Sequence, residues 1–417
     1  MIAKRARPLS GMAADLARAR GGGAFSARER DAAAAVIAAV RRDGDRGVLR
    51  IVERFDRKRA RAADLIADRA TLRRVGRTAT RDVRDALDVA YRRIHSFHAA
   101  QRPHAVRTRD RRGTVAITPA PLHRVGTLVP RGATAYPSTA LMTGIPARVA
   151  GVAELVAASP MGADGAIDPA LAYALTLVDA DALYRAGGAA AVAALAYGTR
   201  SLSAVDKIVG PGNAYATAAK WLVSADVGID ALQGPSELVI VASRHADPAA
   251  VTLDLLAQAE HGSGAFAALV SDDPALLRAV AVALTEHAAG ALAKRVFLYR
   301  ASSLKAAAAA ANAAAPEHVL LAGRSAASLG STIDRAGAVF IGDRSAVAFG
   351  DYVAGTNHCL PTGGTARWSS ALRVEDFVRW TSRVELRSGT AALAKAGAAI
   401  ARHERMRYHA VSMEARG

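Results

Sequence analysis

The chain has 417 residues, with 55 lysines and arginines against 37 aspartates and glutamates, a formal charge of +18 and 51% hydrophobic residues. That apolar content excludes a mainly disordered chain, and every apolar run breaks before the roughly 18–20 residues a membrane-spanning helix needs. A single cysteine, Cys359, excludes an intrachain disulfide and a zinc-finger framework. The basic start lacks the apolar stretch of a secretory signal, so a soluble, cytoplasmic protein of two to four domains is expected.

From the N-terminus, residues 28–101 read as helical. Apolar positions recur at three and four, RDGDRG marks a turn, and Leu87, Ala90, Ile94 and Phe97 share one side of a helix ended by Pro103. Arginines are densest before Gly113 and mostly alternate with Asp or Glu at helical spacing, as on a solvated face. No nucleic-acid motif or aromatic platform accompanies them, so the charge predicts weak, salt-sensitive adhesion and no specific nucleic-acid partner.

From about Val115 short apolar runs alternate with Gly/Pro loops and Ala-rich segments. VGTLV, GVAELVAAS, VDKIVG, SELVIVAS, AFAALVS, RVFLYR, HVLLAG and GAVFIG read as strands. Between several of them lie helix-length stretches such as NAYATAAKWLVSA and DPAAVTLDLLAQAEHG. This alternation predicts βαβ units and mainly parallel sheets, enough for two domains joined near Gly234–Pro235. The tail after about residue 370 reads as helix.

Five places carry possible chemistry. KIVGPGNAY follows a strand and opens a helix, where Gly210 and Gly212 permit close approach and Asn213 can cap; a structural turn explains it more simply than an anion cradle. Gln258 and His261 are three apart in DLLAQAEH, on one helix face, a spacing open to metal binding or to a structural histidine. Glu317 and His318 adjoin as acid and base, and can serve one site only from an irregular turn, because neighbours on a strand point apart. Asp351 and His358 lie in a polar glycine-containing loop, and Glu404 and His409 close the chain.

Taken in order, VPRGATAYPSTALMTGIPARVAGV, GGAAAVAALAYGT, VDKIVGPGNAY, QGPSELVIVA, LLAQAEHG, APEHVLL and GDYVAGTNHCLPTGGTARWSS resemble the histidinol dehydrogenase family, from about Ala32 to Arg416. The resemblance implies two incomplete Rossmann-like parallel-sheet domains with helical N-terminal and C-terminal segments, an α/β fold. It divides the chain into a helical region 1–104, a first α/β domain of 105–128 and 236–370 with the metal and catalytic residues, a cofactor-side domain 129–235, and a helical tail 371–417 against a partner subunit. It implies two NAD-dependent oxidations of an amino alcohol through a bound aldehyde, with one zinc at each site of a homodimer. By motif the zinc ligands are Gln258, His261, Asp351 and, from an exchanged tail, His409; the tail departs from the family at Arg405, Met406 and Tyr408. His318 is implied as the general base and Glu317 as the activator of water. Ser236, Gln258, His261, His318, Asp351, His358, Glu404 and His409 are implied to meet the substrate.

The cofactor positions depart most. Leu128 stands where the family usually has Tyr, Arg131 for a loop glycine and Ala190 for Gln, leaving Asn213 as the family's cofactor contact. Altered NAD binding is expected, with Arg131 compensating at a phosphate. These departures keep open a paralogue acting on another small alcohol, such as a sulfonated diol; an idle basic binding protein is the reading from another class. Cys359, beside His358, is read as a buried apolar residue in preference to a thiol nucleophile.

Overall fold

The computed structural model describes residues 5–21, 23–56, 59–132, 134–162, 164–262, 264–287 and 290–417. Two six-stranded sheets form its frame. In one, strands run in the order Ile66–Asp68, Ala182–Tyr184, Glu154–Ala158, Arg124–Leu128, Lys207–Val209, Gly228–Ile229, parallel except at Ile66–Asp68. In the other the order is Arg7–Pro8, Val296–Arg300, Phe266–Ser271, Glu237–Ala242, His318–Ala322, Ala338–Ile341, parallel throughout. Each winds outward from its first long strand and then crosses back, the incomplete doubly wound pattern expected from the sequence. The runs ELVIVA and FAALVS are buried at every position because helices cover both faces of the sheet.

Strand pairing redraws the expected boundaries in three places. Residues 105–128 do not belong with 236–370: Arg124–Leu128 is a central strand of the cofactor-side sheet. Val106–Asp110 and Gly113–Pro121 form a separate antiparallel sheet with Val378–Leu386. The tail is therefore not all helix, since 378–386 supplies a nine-residue strand before the helices Ala391–His403 and Arg407–Glu414. Nor is 1–104 purely helical, because Arg7–Pro8 and Ile66–Asp68 add an edge strand to each sheet. Side-chain partners hundreds of residues away settle these edges, and two or three residues carry no periodicity of their own. A further helix, Pro169–Leu177, is capped by Asp168.

Residues 230–235 lead from the edge strand Gly228–Ile229 of one sheet to the central strand Glu237–Ala242 of the other. Ligands of doubly wound sheets settle outside the carboxyl ends of strands at the switch point. In the cofactor-side sheet this point lies between Arg124–Leu128 and Lys207–Val209, rimmed by Val129–Arg131 and Gly210–Asn213. In the other sheet the equivalent point lies between Glu237–Ala242 and His318–Ala322.

Candidate active site

The glycine loop is built for close approach. Gly210 has φ +101°, and a Cβ there would lie 2.5 Å from the Leu128 carbonyl oxygen. Asn213 then caps the helix Ala214–Val223, its side-chain oxygen accepting from Ala216 N at 3.0 Å. Leu128 and Ala190 are buried in the apolar core behind this loop. Arg131 stands beside Gly162, where an added Cβ would meet its guanidinium at 2.7 Å and the Asp164 carboxylate at 3.0 Å.

Acid–base groups collect at the amino edge of the other sheet. Glu317 precedes the strand His318–Ala322, in a turn opened by Ala315 (φ +44°) and Pro316, so the irregularity needed for both neighbours to serve one site is present. Ser236 donates to Glu317 Oε2 at 2.5 Å, and Glu237 N donates to the same oxygen at 3.1 Å. Gln258 Nε2 donates to Ser236 Oγ at 2.8 Å. His318 Nδ1 lies 3.2 Å from the Glu237 carbonyl oxygen and 3.6 Å from Glu317 Oε2; the carbonyl fixes the proton on Nδ1 and leaves Nε2 to accept. Burial pushes the Glu317 carboxyl up to about 8 against the pull of Ser236 and Glu237, and lowers His318.

His261 and Asp351 complete the cluster, close enough to act electrostatically on each other and on His318. His261 lies in the turn beyond the helix Pro248–Ala259, not on its face with Gln258 as the spacing suggested. Its exposed ring has Nδ1 on Ala257 O at 3.3 Å. Burial pushes the Asp351 carboxyl up, with His318 and His261 opposing. His358 is held by Asp351 O at 3.0 Å and Thr139 Oγ1 at 3.3 Å, and burial lowers it to about 4, so it is neutral. Asn357 pins this loop by donating to Met142 O at 2.6 Å and accepting from Cys359 N at 2.9 Å. Cys359 is buried in apolar core, which pushes its thiol up and leaves it packed and unreactive.

Not every expected residue arrives. Glu404 and His409 are exposed on the tail hairpin, whose buried contacts are its own Ala398, Ala401 and Ala410, and neither bonds to the cluster within the chain. Among the described residues no three His, Cys, Asp or Glu side chains converge as a metal site. Glu237 and Arg20 were not anticipated. A charged residue opening the apolar run ELVIVA was a signal for Glu237; Arg20 offered none.

The comparisons with known proteins now decide the lineage. The family model described as histidinol dehydrogenase matches residues 23–417. The chain is 42% identical over 393 residues to histidinol dehydrogenase 2 of Nostoc, covering 91% of this chain and 90% of that one. It is 42% identical over 395 residues to histidinol dehydrogenase of Pseudomonas aeruginosa, covering 91% and 89%. The chain belongs to the histidinol dehydrogenase family. The crystal structure of histidinol dehydrogenase from Elizabethkingia anophelis superposes with a TM-score of 0.89 at 27% identity, over 99% of this chain and 96% of that one. A histidinol dehydrogenase fold thus extends over nearly the whole molecule, including the tail hairpin.

Proposed function

We propose that the chain is a zinc- and NAD-dependent histidinol dehydrogenase, cytoplasmic and homodimeric, that converts L-histidinol through histidinal to L-histidine. The observation that carries this reading is the buried Glu317–His318 pair beside three donors that find no hydrogen-bond partner among the described residues. These are Gln258 Oε1, whose amide nitrogen is spent on Ser236, the Asp351 carboxylate, and His261 Nε2. One amide oxygen, one carboxylate and one imidazole suit zinc, with room for a fourth ligand. His409 of a second copy is the candidate, since the cluster opens to solvent at His261.

Zinc would orient and polarise the substrate's amino alcohol, and NAD would accept two hydrides in turn. His318 Nε2 takes the proton of the substrate hydroxyl as the first hydride leaves. Glu317, once ionised, takes a proton from the water that adds to the aldehyde. Ser236 keeps the Glu317 oxygen in place, His358 is a neutral donor or acceptor for substrate, and Glu404 on the tail of the second copy meets its ammonium. Asn213 and the carboxyl edge of the cofactor-side sheet suit the dinucleotide. The sulfonated-diol reading rests on the departures at Leu128, Arg131 and Ala190, against which stands the match to histidinol dehydrogenases over nearly the whole chain; the idle-binding reading has no observation in its favour.

The test is a substrate panel of histidinol against acidic diols, followed by NADH absorbance with and without chelator, alongside metal analysis. About one zinc per chain, and NADH formed only with histidinol, is the expected result; turnover of the diols alone would reassign the substrate.

A further inference from the structure

We infer that Arg20 and Glu237 form a positioning pair that sets the Glu317–His318 couple in register, a role that rests on the acid–base reading above. Glu237 is the first residue of the central strand Glu237–Ala242 and is 2% exposed. Its main chain serves both reacting groups at once. The amide N–H donates to Glu317 Oε2, and the carbonyl receives His318 Nδ1. A shift of this one residue therefore misplaces both groups together.

The side chain of Glu237 is what fixes it. Arg20, on the helix Met12–Arg20 and 217 positions upstream, donates from Nε to Oε1 at 2.7 Å and from Nη2 to Oε2 at 2.8 Å. The same Nη2 donates to Ala314 O at 2.8 Å, at the end of the helix that leads through Ala315 and Pro316 into Glu317. Gly363 N adds a third contact to the Glu237 carboxylate, at Oε1 and 3.2 Å. One guanidinium thus ties the strand bearing Glu237 to the turn bearing Glu317, in the planar two-pronged geometry that lysine does not reproduce. Neither residue bonds to Gln258, His261 or Asp351, so the pair works through Glu317 and His318. The family model begins at residue 23, so the guanidinium comes from outside the matched stretch.

Steady-state kinetics of the zinc-loaded enzyme test this, using Arg20→Gln, Glu237→Gln and the double variant. Each single change is expected to lower kcat about 10- to 100-fold, the scale of an ångström-sized misplacement, with KM for histidinol and zinc content held. The double variant should be no worse than the poorer single one, because both remove the same linkage. A kcat within twofold of wild type in either single variant, losses that multiply, or a loss carried by KM would overturn the pairing. If a single variant fails to fold for want of a partner to its buried charge, the neutral double variant decides, and a wild-type kcat there refutes the idea. Glu317→Gln and His318→Asn run in parallel. Full activity in those two would sink the acid–base reading itself, whereas inactivity there with unimpaired Arg20 variants would sink only the pairing.

Discussion

Lys220 and Asp230 form an ion pair from which water is almost wholly excluded, directly beneath the glycine loop. Lys220 Nζ also donates to Gly210 O at 3.0 Å and Gln233 Oε1 at 3.1 Å. Asp230 accepts from Gly210 N at 2.8 Å and Gln233 Nε2 at 3.1 Å. The pair holds both sides of Gly210 and, through Gln233, the segment that delivers Ser236 to Glu317. Lys220→Met should lower stability by about 3–5 kcal/mol, because it strands a buried carboxylate. Adding Asp230→Asn should restore part of the loss by removing that charge. Urea denaturation checks both; an unchanged midpoint for Lys220→Met would show that the pair holds nothing.

The raised Glu317 carboxyl has a stability consequence of definite sign. In zinc-free protein the folded state keeps the Glu317 proton up to about pH 8, while the unfolded chain releases it near 4.5. Between those values the folded state binds more protons, so this group costs stability progressively as pH rises. Below pH 4.5 the penalty is absent. Glu317→Gln, which keeps an oxygen for Ser236 and Glu237, should therefore be more stable than wild type above about pH 5. The gain should grow to several kcal/mol by pH 8, while turnover is lost. Thermal melts from pH 4 to 8 in the presence of chelator would show the two curves diverging; parallel curves would contradict the burial argument.

Arg131 is placed to test the altered cofactor loop. Beside it lies a cavity of about 670 Å³ whose walls include Arg74, Arg131 and Arg185 with Asp164 and Asp168. Three guanidinium groups there face two carboxylates, so positive charge prevails, and Asp168 accepts from Ala170 N and Leu171 N as a helix cap. If Arg131 meets a cofactor phosphate, Arg131→Ala should weaken NAD binding about tenfold or more, the scale of a hydrogen bond to a charged group. Isothermal titration measures this directly. An unchanged affinity would leave the departures at Leu128 and Ala190 uncompensated.

The sequence made the parallel strands legible because they are buried on both faces and therefore apolar throughout, as ELVIVA and FAALVS are. Adjacent side chains cannot share a strand face, and Glu317 lies in the turn before the strand that His318 opens, so only one of the pair sits in regular strand. The strand Val378–Leu386 escaped because VRWTSRVEL is mostly exposed and loses its alternation at Thr381–Ser382, and only its pairing with Gly113–Pro121 reveals it. Pro169–Leu177 escaped although Asp168–Pro169 is a helix-start signal. Arg20 could not be read at all: its meaning depends on a carboxylate 217 residues away.

The exposed tail makes the strongest demand on the proposed dimer. Leu393, Ile400, Met406, Tyr408 and Val411 are all exposed on a hairpin packed mainly on itself, and His409 lies among them. If His409 completes the site of a second copy, His409→Ala and Glu317→Gln should each be inactive alone. Refolded together, they should recover activity. In a mixed dimer one site combines an intact body with an intact tail, and the other collects both lesions. Random reassortment makes half the dimers mixed, so about a quarter of wild-type activity is expected. Recovery depends only on which subunit lends its tail, so a mixture as inactive as its parents would mean that His409 serves its own chain or none.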